Sequence, residues 1–134
     1  MIKVHVLQVS AKLPKEMALL RRYVAAGRTQ GEHWQSVSKA DPGDIAVWYE
    51  AGTQVYTAWG WVSGPPVHIG RGVPFGPYRS PVAGLQWLPA EVKRETVREA
   101  SGFKGGHQGP QTVPDEKAVA FLVAVGLLPP QPAD

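Results

Sequence analysis

Apolar and polar residues alternate over residues 2–9 (IKVHVLQV), the period of a strand with one face turned to a core. The period then lengthens. Leu13, Met17, Leu20 and Val24 recur at i, i+4, i+7 and i+11, which predicts a helix; Pro14 suits its first turn and Gly27 the position just past its end. A polar, turn-rich loop, RTQGEHWQSVSKADPGD, follows with Trp34 as its only large aromatic group. Residues 45–49 and 55–63 are apolar β-type runs on either side of a turn-forming EAGTQ, which predicts a hairpin or two successive strands of a barrel. The stretch 43–64, holding Trp48, Trp59 and Trp61, is the one around which the chain is organised.

Residues 64–81 (GPPVHIGRGVPFGPYRSP) form a glycine- and proline-loaded segment too long for a mere connector, and are expected to be functional or mobile. Residues 82–88 read as a further strand carrying Trp87, and Pro89 as the first residue of a helix that stops at Ser101-Gly102. A second glycine-rich loop, SGFKGGHQGPQ, leads to a last helix with Ala118, Phe121, Leu122 and Val125 on one face and Gly126 at its end. The order of elements predicts an α+β fold with a central, barrel-like sheet. Residues 1–127 are expected to form one domain, with the proline-rich 128–134 as a tail that reads as a linker.

Composition narrows the setting more than the function. No apolar run approaches the ~20 residues of a membrane span, so no membrane partner is expected. The amino terminus lacks the apolar core and cleavage site of a signal peptide. With no cysteine there is no disulfide and no thiolate metal site, which fits a cytoplasmic location. The charge is unevenly spread: no acidic residue lies between Glu50 and Glu91 or between Glu99 and Asp115, while Arg71, Arg79, Lys104 and His107 do. If these segments share a face, that face is positive and suits a polyanion.

Enzyme chemistry finds little support. His5, His33, His68 and His107 have none of the short spacings of a metal site, and no serine sits in a nucleophile elbow. Neither glycine-rich loop continues into the lysine and hydroxyl of a phosphate-binding helix start. Hence no catalytic residue, metal or cofactor is assigned. The loop aromatics are more informative. Trp34, Phe75, Tyr78 and Phe103 fall in predicted loops, the last three near Arg71, Arg79 and Lys104. Such interleaving suits bases stacked on rings with phosphates held nearby. Trp59 and Trp61 share a strand face, so core packing is their default; Trp48 and Tyr49 point to opposite faces, one to the core and one to a pocket rim.

A serine closing the first strand (LQVS, Ser10), a tryptophan after the first helix (HWQS), the PGD turn (Pro42, Gly43, Asp44), the AWGWV strand and the terminal QTVPDEKAVAFL together resemble the EVE domain and its YTH relatives. The resemblance spans nearly the whole chain. It implies a PUA-like fold, a small β-barrel of about five to six strands with surrounding helices, that flips a modified base into an aromatic pocket. By this likeness the base would be met by Gln8, Ser10, Trp34, Ser36 and Trp48 from the first half of the chain. Phe75, Tyr78, Gln108 and Gln111 would meet it from the second, with phosphates held by Lys12, Arg71, Arg79 and Lys104. Val9 stands where relatives often carry a lysine, and Phe75 and Tyr78 replace an expected tryptophan. The implied ligand is 5-methylated (or hydroxymethylated) cytosine, in DNA in preference to RNA, and the implied setting a modification-dependent restriction endonuclease with a fused nuclease domain. Two alternatives stay open: an RNA-binding PUA-like module without flipping, and a small PUA-like hydrolase using carboxylates and His107.

Overall fold

In chain order the elements are β1 (Val4–Val9), α1 (Pro14–Ala26), β2 (Glu32–Gln35), β3 (Ile45–Glu50), β4 (Val55–Val62), β5 (Val67–His68), β6 (Tyr78–Lys93), α2 (Arg94–Ser101), β7 (Gln111–Thr112) and α3 (Asp115–Ala124). The computed structural model describes residues 3–10, 14–27, 32–70, 77–104 and 109–130. The fold is α+β: one sheet in the order β2-β6-β4-β3-β1-β7, with β5 beside β6, and three helices. β1 runs parallel to β3 and antiparallel to β7, and all its residues are buried. The sheet curls. Trp34 and Gln35, on β2 at one end of the path, both donate hydrogen bonds to the main-chain carbonyl of Gln8 on β1, near the other end.

Alternation along the strands divides the core in two. Val4, Val6, Val47 and Tyr49 pack with Val97 of α2 and Phe121 and Leu122 of α3; Leu7, Val9, Ala46 and Trp48 pack with Leu20 and Tyr23 of α1 and with Trp34. The apolar stripe of α3 is the one its periodicity predicts, and Leu127 and Leu128 continue that packing past Gly126. Among the described residues no helix is long and apolar enough to cross a membrane.

The structure departs from expectation in three places. β6 is sixteen residues long and starts at Tyr78, inside the segment expected to be loop. It runs straight through Pro89, so the helix expected there starts five residues later, at Arg94. Pro89 is tolerated because it falls where the β4–β6 register shifts between Tyr56 and Ala58, a position that needs no N–H for the ladder. A second shift, between Trp59 and Trp61, accompanies Gly84, whose φ of +63° would strain any other residue and where a Cβ would sit 3.2 Å from the Trp61 ring, closer than ordinary contact. Third, Trp34 lies on β2 rather than in a loop, and Phe103 is buried edge-on to Phe121 rather than free for stacking. Of the expected core pair, Trp59 is partly buried while Trp61 is 41% exposed.

Tyr56 is fully buried between Tyr49 and Phe121, and its hydroxyl has no partner among the described residues. An unpartnered buried hydroxyl costs about 1–3 kcal/mol, so Tyr56→Phe is expected to stabilise the fold by about 1 kcal/mol in urea unfolding. Burial, reinforced by Tyr49, pushes the phenol well above its ordinary value. A folded-state pKa above the unfolded one means stability that is intact below pH ~10 and lost as pH rises beyond it. The Tyr56→Phe protein should therefore keep more of its stability at alkaline pH.

Candidate functional site

Among the described residues the short strand β7 pairs with β1 alone. Together with the 37–39 segment, the turn after α2 and the start of α3 it lines a cavity of about 940 Å³. Four lysines, Lys3, Lys39, Lys104 and Lys117, line it against a single carboxylate, Asp115; Gln111 and Thr112 add polar groups, and Val37, Phe103 and Val113 supply apolar wall. The lysines arrive from the residue just ahead of β1, from the 36–44 loop, from the turn after α2 and from α3, so the grouping exists only in the fold.

Local structure fixes two walls. α2 ends at Gly102, in the left-handed region at φ +76°, and the Gly102 N–H closes on the Arg98 carbonyl at 2.8 Å. The turn that follows is tied down by Lys117 Nζ on the Gly102 carbonyl (3.0 Å) and Arg94 Nε on the Lys104 carbonyl (3.1 Å). On the opposite wall Lys3 Nζ is ion-paired with Asp41 and donates to the Lys39 carbonyl at 2.8 Å, and the Asp41 hydrogen bond holds Lys3 above its usual pKa. The ammonium groups of Lys39 and Lys104, both exposed, have no such partner among the described residues.

Behind Thr112 runs a buried polar chain. His5, 0% exposed, has Nδ1 at 2.9 Å from Thr112 Oγ1 and Nε2 at 2.8 Å from Asp44 Oδ2. Asp44 Oδ2 also accepts the Asp41 N–H at 2.9 Å and lies 3.5 Å from Lys3 Nζ. Sequence reasoning passed over His5, Asp44 and Thr112, treating the aspartate as a turn residue only. The available signal was a histidine among the valines and leucine of the first strand, which requires hydrogen-bond partners once that strand is buried.

The residues expected from sequence separate into four groups. Lys104 and Gln111 line the cavity. Gln8, Ser10 and Ser36 gather at the β1–β2 end: Gln8 Oε1 accepts the Gly109 N–H (2.6 Å), Glu16 accepts the Ser10 N–H (2.7 Å) and reaches Gln35 Nε2 (3.2 Å). Gln35 and Glu16 were not anticipated. Gln35 Oε1, Ser36 Oγ and Ser80 Oγ are buried there without partners among the described residues. Tyr78 and Arg79 open β6; the Tyr78 carbonyl accepts the Ser36 N–H (3.1 Å) while its ring sits edge-on to His68, 5.3 Å away. Arg79 Nη1 donates to the same carbonyl at 2.8 Å.

Trp34 and Trp48 form the fourth group and correct the expectation of an aromatic pocket. Trp34 is 3% exposed, edge-on to both Tyr23 and Trp48, with its indole N–H spent on Gln8; Trp48 is fully buried, as is Tyr49. Both tryptophans fill the core beneath α1, and neither offers a free face to a base. Lys12, Arg71, Phe75, His107 and Gln108 lie outside the described residues. Among the described residues, no three histidine or acidic side chains come together to hold a metal ion.

No protein-family model matches the chain, and no curated protein does. Solved structures do. The chain is similar to Rpa0253 from Rhodopseudomonas palustris, at 14% identity and a TM-score of 0.63 over 95% of both chains. It is similar to Atu2648 from Agrobacterium tumefaciens at 14% identity and a TM-score of 0.63, over 98% of this chain and 99% of that one. A mutant of the ZmASCH protein from Zymomonas mobilis aligns at 10% identity and a TM-score of 0.56, over 90% of this chain and 94% of that one. At these identities the likeness is one of fold.

Proposed function

We propose that the protein is a nucleic-acid-binding module of the PUA-like kind. The curled sheet with its flanking helices is compatible with a small PUA-like barrel, and the similarity to ZmASCH supports that reading. The observation that carries the function is the cavity, lined among the described residues by four lysines and one carboxylate, with the ammonium groups of Lys39 and Lys104 left unpaired there and Gln111 and Thr112 of β7 along its edge. Phosphates lie along Lys39 and Lys104, and one unstacked base enters between them. The apolar wall of Val37, Phe103 and Val113 suits a ring carrying a methyl group, whose burial adds about 0.8 kcal/mol, roughly a fourfold gain in affinity. The finer reading, a 5-methylated cytosine in DNA presented to a nuclease, rests on the sequence resemblance to EVE domains and not on the lining of the cavity.

Fluorescence anisotropy with labelled single strands tests this. Binding is expected to weaken steeply as salt rises, and each of Lys39→Ala and Lys104→Ala to lower the log–log salt slope by about 0.7. Both lysines are exposed, so the variants should melt like the native chain. Affinity unchanged in the double variant would remove the cavity as the site; equal affinity for cytosine and 5-methylcytosine strands would remove the methyl preference.

A further inference from the structure

The buried chain behind Thr112 determines which way its hydroxyl points its proton. Asp44 Oδ2 accepts the Asp41 N–H and faces Lys3 Nζ, so it is a carboxylate with lone pairs and nothing to donate. The His5 nitrogen 2.8 Å from it, Nε2, must therefore carry the ring proton. In a neutral imidazole the other nitrogen, Nδ1, is then an acceptor. Thr112 Oγ1 stands 2.9 Å from Nδ1 and has one proton, which goes to the ring. His5 is completely buried, and the charged groups around the chain are Asp44, Asp41 and Lys3. What the Thr112 hydroxyl has left for another partner is lone pairs alone.

Thr112 lines the cavity. We infer that Thr112, held by His5 and Asp44 as an acceptor only, selects a base that offers an exocyclic amine there, as cytosine and adenine do, over one that offers a keto oxygen, as uracil and thymine do. The inference rests on the nucleic-acid reading of the cavity and adds its direction of choice. A keto oxygen brought to Thr112 would meet lone pair with lone pair. An amine donates into it, and a methyl group at the neighbouring ring carbon leaves that contact intact. His5 and Asp44 are positioning residues: they touch no ligand and act by orienting the hydroxyl.

Oligo-dC and oligo-dU of one length differ at the base in the amine-for-keto exchange and the ring proton that goes with it, which makes them the probe. In anisotropy titrations at fixed salt and mildly alkaline pH, the native chain is expected to bind oligo-dC about five- to tenfold more tightly, the worth of one hydrogen bond. Thr112→Val should bind both strands alike, and Thr112→Ser should restore the preference. His5→Gln, whose amide can turn either end to Thr112, should lose the preference while still binding both strands. Equal native affinity for the two strands overturns the inference and leaves the nucleic-acid reading standing. Failure to bind either strand overturns both. A measurement free of any ligand checks the premise: ¹⁵N spectra should show His5 as the neutral tautomer protonated at Nε2, and a proton on Nδ1 overturns the inference whatever the strands do.

Discussion

Trp34→Ala is expected to lower stability by about 3–5 kcal/mol, the cost of emptying a buried aromatic site. The ring is almost wholly enclosed, packs edge-on against Tyr23 of α1 at 6.0 Å and Trp48 of β3 at 5.9 Å, and donates its indole N–H to the Gln8 carbonyl at 3.1 Å. Three elements, α1, β1 and β3, would lose a common partner, and among the described side chains the Gln8 carbonyl would keep that of Gln35 alone. For a domain of this size the loss should lower the melting temperature by on the order of 10–20 °C. Trp34→Phe keeps most of the apolar volume and removes the N–H, so its cost should be nearer 1–2 kcal/mol. A melting temperature unmoved by alanine would mean that the ring is not part of the core. The functional consequence is direct: any loss of binding in the alanine variant would follow from the weakened fold and not from a lost ring contact, so the lysines and Thr112 are the positions that report on the site.

Elements whose own residues carry a clean period were legible in the chain. α1, β3, β4 and α3 all fall where the 3.6-residue spacing or the apolar β-type runs put them, the helices because each buries one face and β3 because it is buried on both. β6 was not legible beyond its middle. Pro81 and Pro89 lie within it and read as breakers, yet each is absorbed by pairing that the local residues do not announce: β2 and β5 at its start, and the register shift against β4 at its end. β2 failed for the opposite reason. Its EHWQ run is polar on paper, and Trp34 and Gln35 are buried only because the curl of the sheet brings them to Gln8.

The same distinction holds for the site. Lys104 and Gln111 could be picked out as a base and an amide in a glycine-rich segment, and both do line the cavity. Lys3, Lys39 and Lys117 could not, since they lie far apart along the chain and are assembled by the parallel pairing of β1 with β3 and the docking of α3. Trp34 and Trp48 were misplaced because an aromatic flanked by polar residues and an aromatic on a central strand look alike whether they wall a pocket or fill a core. Only the curl of the sheet decides between the two.

Asp44→Ala is expected to cost about 3 kcal/mol or more, although the residue sits in a turn that looks replaceable. Its Oδ2 is the acceptor for His5 Nε2 and for the Asp41 N–H, and it is the second carboxylate near Lys3. Removing it leaves the fully buried imidazole with an unpartnered donor, at about 1–3 kcal/mol, and takes the acceptor from the Asp41 N–H as well. Asp44→Asn keeps an oxygen in place for the ring proton, so its loss should be about 1 kcal/mol, and urea unfolding of the two variants side by side measures the difference. Cost alone would mark Asp44 as structural. Its second role shows in the asparagine variant, where the amide can turn its NH₂ towards His5, release Nε2 from donating, and so free the Thr112 proton. That protein should stay folded and yet bind oligo-dC and oligo-dU more nearly alike. If Asp44→Ala unfolds within 1 kcal/mol of the native chain, His5 has another partner and the chain of bonds behind Thr112 is not what holds its proton.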